Sequence, residues 1–377
     1  MKVSYTLFAL THRFICRSVP ALLHGSVTKQ QRRKRRIMKK KVVSLLAAMA
    51  LAVTALAGCG SNDAATTGTD AATVAATTEA AGTTEAAGTT EAATDSEAVT
   101  GVKAGFIFLH DENSTYDLNF LNAAKAACEK LGIEYMTKTN IPEGQEAYEA
   151  ACELADAGCN FIFADSFGHE DYIIEAAKEY PDVQFSHATG TKAHTEGLDN
   201  FHNAFASIYD GRYLAGIVAG MKTQKNYIGY VAAKGIPEVI RGINAFTLGV
   251  QSVNPDAKVE VVFTDTWYDP TVEKQAALEL LNKGVDIIAQ HQDTTAPQVA
   301  AEEKGAYCIG YNFPTADAAP DAYLTAACFN WSTFYTDDCQ RALDGTWTSR
   351  AYWEGLAANM TYLDDLTALC AEGTQEK

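Results

Sequence analysis

From Val102 onward, short apolar runs alternate with amphipathic ones, and the series restarts once. Val102–Leu109, Ile133–Asn140, Phe161–Asp165 and Val183–Ala188 read as strands. Helical patterns separate them at Leu118–Leu131, at Glu143–Ala157 (ended by Gly158) and at Tyr172–Glu179 (stopped by Pro181). The second series places strands at Tyr227–Ala233, Val259–Thr264, Asp286–Gln290 and Tyr307–Tyr311, with helices near Pro237–Val253, Thr271–Asn282 and Thr294–Lys304. Apolar strands joined through helices imply parallel pairing with helices on both faces. Two such series outgrow a single core. The expected fold is α/β, with two lobes that are each a mostly parallel sheet flanked by helices. Residues 101–208 plus about 315–345 are expected in the N-terminal lobe, and 209–314 plus about 346–377 in the C-terminal lobe. Helix Ile208–Met221 is expected at the first crossing. Ligands in such sheets bind at the carboxyl ends of strands, so the loops just after each strand are where function is expected.

The first hundred residues have a different texture. Lys39-Lys40-Lys41 leads into the apolar run Val42–Val53, and Leu56-Ala57-Gly58-Cys59 follows. A basic region, a short apolar region and small residues before a cysteine resemble a bacterial lipoprotein signal. The apolar run is short for a membrane span. Cys59 is thus expected to become the lipidated first residue after removal of 38–58, with Met38 as initiator and 1–37 as an over-extended reading frame. Residues 60–100 repeat Thr77-Thr78-Glu79-Ala80-Ala81-Gly82 and lack aromatic residues, which marks them as a disordered Ala/Thr/Glu/Gly linker. A linker of this length spans roughly 35 Å end to end. The expected location is the extracytoplasmic face of the cell membrane.

Residues 1–58 hold 12 of the 30 basic residues and none of the acids, which leaves 18 basic against 47 acidic beyond them, a net charge of −29. So negative a body would repel phosphate, and no nucleic-acid partner is expected. Of the 9 cysteines, Cys16 and Cys59 lie in the leader and at the lipid site. Cys128, Cys152, Cys159, Cys308, Cys328, Cys339 and Cys370 form no CxxC pair and mostly sit in apolar runs, so they read as structural thiols.

The loops after the strands hold the candidate ligand-binding residues: Asn113, Tyr116 and Asp117 after the first, Ser166 and Phe167 after the third, then Trp267, His291, Asp293 and Asn312 in the second half. Rings mixed with carboxylates and amides suit a planar polar ligand. For Ser166, Asp293 and Thr294 the alternative is helix capping, and for Trp267 plain packing. His110, His187 and His291 stand in separate loops without HxH or HExxH spacing, so no metal site is expected. No phosphate-binding glycine loop or GxSxG elbow is present, and no cofactor is expected.

Several segments carry a family resemblance: Ala164-Asp165-Ser166-Phe167-Gly168, Pro181–Gly190, Tyr209–Gly216, Ile236-Pro237-Glu238-Val239-Ile240 and Gly249–Pro255. Together they resemble the basic membrane protein (BMP) family of lipoproteins, of the purine nucleoside receptor type, from about Lys103 to Gly355. The resemblance implies a type I periplasmic-binding-protein-like fold whose lobes close on a purine nucleoside or base and deliver it to an ABC permease and its ATPase. It aligns Tyr116 and Asp117 with an aromatic-plus-polar pair. It also sets Trp267 where a ring covers the base, and Asp293 where a carboxylate takes ribose hydroxyls or a base N–H. The Ser-Phe-Gly, His-Ala-Thr-Gly and Trp-Tyr-Asp-Pro versions are similar to a subgroup that includes adenine binders. Members usually continue past a motif like Glu372–Gln375 with a further helix and strand, where this sequence stops at Lys377.

Three functions fit these features. The first is a lipid-anchored substrate-binding protein of an ABC importer, without enzyme activity. The second is a sensory lipoprotein that signals to a membrane partner. The third is a nucleoside-processing enzyme, for which the scattered Asp111, Asp165 and Asp293 give little support.

Overall fold

The computed structural model describes residues 101–377. The leader, Cys59 and the linker therefore lie outside the described residues. In chain order the first half runs β1 (Lys103–Ile107), α1 (Thr115–Leu131), β2 (Glu134–Lys138), α2 (Gln145–Asp156), β3 (Phe161–Ala164), α3 (Glu170–Glu179), β4 (Gln184–Ala188), α4 (Ala193–Glu196) and β5 (Phe201–Ala206). The second half runs α5 (Ile208–Lys222), β6 (Tyr227–Ala232), α6 (Pro237–Val253), β7 (Lys258–Phe263), α7 (Pro270–Asn282), β8 (Ile287–His291), α8 (Ala296–Glu303), β9 (Tyr307–Asn312) and β10 (Tyr323–Phe329). The chain then recrosses through α9 (Trp331–Leu343) and β11 (Ala351–Glu354), and ends with β12 (Thr361–Leu363) and a short tail.

Two six-stranded sheets result, ordered β11-β5-β4-β3-β1-β2 and β12-β10-β9-β8-β6-β7. Every pairing is parallel except β10 with β12. Period-two alternation directs successive side chains to opposite faces. Phe106, Phe161 and Phe163 join one cluster with Phe120 of α1 and Trp331 and Tyr335 of α9. Their neighbours Ile107 and Ile162 join another with Leu154 of α2 and Ile174 of α3. The second lobe repeats the plan, with Val231 and Ile288 against Leu280 of α7, and Ile228, Tyr230 and Ile287 against Phe246 of α6. Burial of each such side chain stabilises the fold by about 1.5–3 kcal/mol.

The expected assignment of 315–345 to the first lobe needs correction. β10 completes the second sheet, so this crossing falls at Asn330 instead of near 315. Residues 351–354 return to the first sheet as β11, whereas 346–377 as a whole was expected in the second lobe. The other crossings fall at Ser207 and between Glu354 and Thr361. Main-chain bonds tie these connections together: Ser207 N–H to the Glu354 carbonyl at 2.7 Å, and Asn330 N–H to the Met360 carbonyl at 2.8 Å.

β5 escaped the apolar-run criterion because His202 and Asn203 interrupt it. Both bond internally: His202 Nε2 meets Ser186 Oγ at 2.8 Å and Asp338 Oδ2 at 3.1 Å, and Asn203 Oδ1 accepts from Ala193 N–H at 2.8 Å. All seven described cysteines are free, and six are buried. No described helix is long and apolar enough to cross a membrane.

Candidate functional site

Each sheet reverses its winding between its first and third strands, β1 and β3 in one lobe and β6 and β8 in the other. At such a switch point adjacent loops diverge and leave a crevice beyond the carboxyl ends of the strands. The two crevices face each other. Between them lies a narrow, largely enclosed cavity. Leu109 and Tyr116 follow β1, Ser166 and Phe167 follow β3, and Thr189 follows β4; Glu238 follows β6, Trp267 follows β7, and Asp293 follows His291 at the end of β8. A larger, more open groove of about 1190 Å³ runs along α7 and α8, but it carries one ring, Tyr268. The inner cavity carries five: Tyr116, Phe167, Trp267, His291 and Tyr311.

These rings are held from behind. The Tyr116 hydroxyl donates to the Asp165 carbonyl at 2.9 Å, and its ring lies 4.8 Å from that of Phe120. The Trp267 indole N–H donates to Glu143 Oε1 at 3.2 Å. Tyr311 bonds through its hydroxyl to His291 Nε2 at 3.0 Å, and the Arg212 guanidinium covers its ring at 3.7 Å. Burial, aided by the nearby Arg212 charge, holds His291 neutral, far below the usual imidazole range. Nε2 and the Tyr311 hydroxyl share one hydrogen bond, whose direction follows the tautomer of the neutral ring. Thr189 reaches the wall with φ at 65°, a backbone conformation that β-branched residues rarely adopt and that clusters at functional sites.

Two carboxyl groups complete the wall. Burial first, then the charges of Asp117 and Glu273, push Asp293 well above the usual range; Asn312 Nδ2, donating to Oδ1 at 3.0 Å, opposes the shift. Burial raises Glu238 to about 7 against the counteracting Arg241 and Arg212 charges. Near neutrality Glu238 therefore exists in both forms, able to accept a hydrogen bond when ionised and to donate one when protonated.

Six of the nine expected ligand-binding residues line this cavity: Tyr116, Ser166, Phe167, Trp267, His291 and Asp293. Three do not. Asn113 is exposed on the outer groove, its amide donating to Asp111 Oδ1 at 2.9 Å. Asp117 turns back into its own loop, where it accepts from His110 N–H at 2.8 Å and Ser114 Oγ at 2.5 Å. Asn312 stands behind Asp293 and bonds it to Thr115. Thr294 precedes the cap residue Thr295 and accepts from Ala296 N–H at 3.1 Å, whereas the Ser166 hydroxyl goes to Glu143 at 2.7 Å. Leu109, Thr189, Glu238 and Tyr311 line the cavity as well, outside the nine expected positions. Thr189 and Glu238 lay within the segments that carry the resemblance, and Tyr311 sits inside a strand where loop-based reasoning does not look. Among the described residues, no group of three or more His, Cys, Asp or Glu could hold a metal ion.

Two α/β lobes around an aromatic, carboxyl-bearing cleft define a two-lobed solute-binding protein. The chain belongs to the family of PnrA-like ABC transporter substrate-binding proteins, which matches residues 108–377. A purine-binding protein of Brucella abortus (strain 2308) is 38% identical over 271 residues, covering 71% of this chain and 76% of its own length. A putative ABC transporter glucose-binding protein of Haloferax volcanii is 37% identical over 235 residues, covering 62% of this chain and 58% of its own. Among solved structures, an ABC transporter solute-binding protein from Conexibacter woesei superposes with a TM-score of 0.61 at 22% identity, covering 73% of this chain and 93% of its own.

Proposed function

We propose that this substrate-binding protein captures a purine, as the free base or a nucleoside, and presents it to an ABC permease. The observation that carries the reading is a cleft whose rings come from both lobes and whose two carboxyls, Glu238 and Asp293, flank the switch point of the second. Phe167 from one lobe and Trp267 from the other cover a flat heterocycle, a contact worth about 1–3 kcal/mol per stacked base. Asp293 and Glu238 read its edge: ionised they accept from a ring N–H or exocyclic amine, protonated they donate to a ring nitrogen. Ligand that touches both lobes at once favours the closed state over the open one. The name of the Brucella relative supports the choice of purine.

No catalytic step is assigned to these residues, and the ligand leaves unaltered. In this reading Cys59 carries a lipid outside the cytoplasm, and the linker lets the lobes reach a membrane-embedded permease. A sensory role would use the same cleft and differ in its partner. The deciding experiment is mass spectrometry of small molecules that copurify with residues 101–377, followed by titration calorimetry with adenine, adenosine, guanosine, inosine and glucose. Micromolar or tighter binding of a purine, returned unchanged, is expected. Binding of glucose with no response to any purine would overturn the proposal.

A further inference from the structure

Glu143 lies in the loop Ile141–Gly144, ahead of α2 and not within it as the sequence pattern implied. Its carboxylate gathers four donors. From its own lobe come the Ser166 hydroxyl at 2.7 Å and the Gly168 N–H at 3.0 Å. From the other lobe come the Trp267 indole N–H at 3.2 Å and the Lys234 ammonium at 2.8 Å. The two same-lobe donors flank Phe167, and the Lys234 ammonium also lies 5.2 Å from the centre of the Trp267 ring. One carboxylate thus fixes the loops that carry both Phe167 and Trp267, on opposite sides of the cleft.

We propose that Glu143 is a positioning residue that clasps the closed cleft, joining Ser166 and Gly168 of one lobe to Lys234 and Trp267 of the other. Half of its bonds exist only when the lobes meet, so opening strips this carboxylate of its cation and its indole partner. Closure gains those two bonds while setting the two rings face to ligand. Burial alone would raise the Glu143 carboxyl, but Lys234, Ser166 and Gly168 outweigh it and hold the group below the usual range, so it stays charged. The clasp thus acts on ligand release more than on capture, because encounter happens in the open state where it is not formed.

The ligand readout rests on the purine reading, so the test includes one that does not. Three kinds of variant separate the contributions. E143Q and K234Q each remove one charge, E143A removes all four bonds, and G168A keeps the carboxylate but builds a Cβ into its path. Dissociation of a purine is measured by stopped flow, and the radius of gyration of the purified protein by small-angle scattering. E143Q and K234Q are expected to speed release about five- to tenfold, with the double variant little worse than either. E143A and G168A should exceed about thirtyfold, with association rates within about twofold of wild type. The unfolding midpoint of ligand-free K234Q, which loses only a bond between lobes, should stay unchanged.

Release rates and radii equal to wild type in both E143A and G168A would overturn the clasp. So would wild-type release from K234Q, since Glu143 would then support its own lobe only. If wild type binds no purine, scattering decides: a larger radius in E143A supports the clasp, and an equal radius removes it.

Discussion

Thr115 donates its main-chain N–H to the Asp293 carbonyl at 2.9 Å, which joins the first turn of α1 in one lobe to the end of β8 in the other. Asn312 reinforces the link, its amide reaching Thr115 Oγ1 at 3.1 Å and Asp293 Oδ1 at 3.0 Å. Asn119, also from α1, donates to the Asn312 carbonyl at 3.1 Å and to Phe329 at 2.7 Å. The back of the cavity is therefore a hydrogen-bonded seam.

Asn312 serves that seam with φ at 71°, in the left-handed region. N312G keeps the backbone and loses the amide, while N312A loses the amide and strains the backbone. In urea titrations N312A should be about 1–2 kcal/mol less stable than N312G, and both should bind ligand more weakly than wild type. Equal stability of the two variants would show that the backbone here costs nothing.

Trp267→Ala and Phe167→Ala are each expected to weaken purine binding by about 1–3 kcal/mol, read by calorimetry. Unchanged affinity in either would reassign that ring to packing.

α5 and α6 cross at closely apposed glycines. A Cβ on Gly216 would collide with the Phe246 carbonyl oxygen, and one on Gly249 with that of Tyr213. Backbone cannot step aside as a side-chain tip can, so G216A should destabilise the second lobe by about 3 kcal/mol or more. A loss below about 1 kcal/mol in chemical denaturation would mean that the helices separate freely.

Glu238 gives the protein a pH signature. Its pKa rises from 4.5 to about 7 on folding, so between those values the native state binds more protons than the unfolded one. Its contribution is present in full below pH 4.5 and is lost as pH rises through about 7. E238Q lacks this dependence. The stability gap between wild type and E238Q should therefore shift against wild type by roughly 3 kcal/mol from pH 4.5 to above pH 7. A gap constant with pH, by denaturation at pH 5 and 7.5, would show that Glu238 ionises as freely as in the unfolded chain.

Much of this fold is legible in strands such as Phe161–Ala164, where a short unbroken apolar run between helical patterns suits a doubly covered strand. β5 and β10 are less so: one carries internally bonded His202 and Asn203, the other small residues such as Thr325 and Ala326. The cavity residues that follow strand ends were accessible to reasoning because topology puts loop residues there. Asp117 shows the limit of that reasoning. It sits in the first turn of α1, three residues after the cap Ser114, and this capping pair together with the His110 N–H claims its carboxylate. Glu143 was invisible for a different reason: its partners are 23 to 124 residues away in the chain.

The three connections between lobes at Ser207, Asn330 and Gly355–Met360 run side by side and are bonded to one another. Parallel struts of this kind bend together but resist sliding. The two walls of the cleft therefore approach in one fixed alignment, like the jaws of a caliper. Such a device gauges thickness most strictly. A molecule one ring deep meets both jaws, whereas extra length along the jaw line projects through the opening at small cost. Discrimination should accordingly be severe against puckered or bulky faces and lenient toward substituents on the rim.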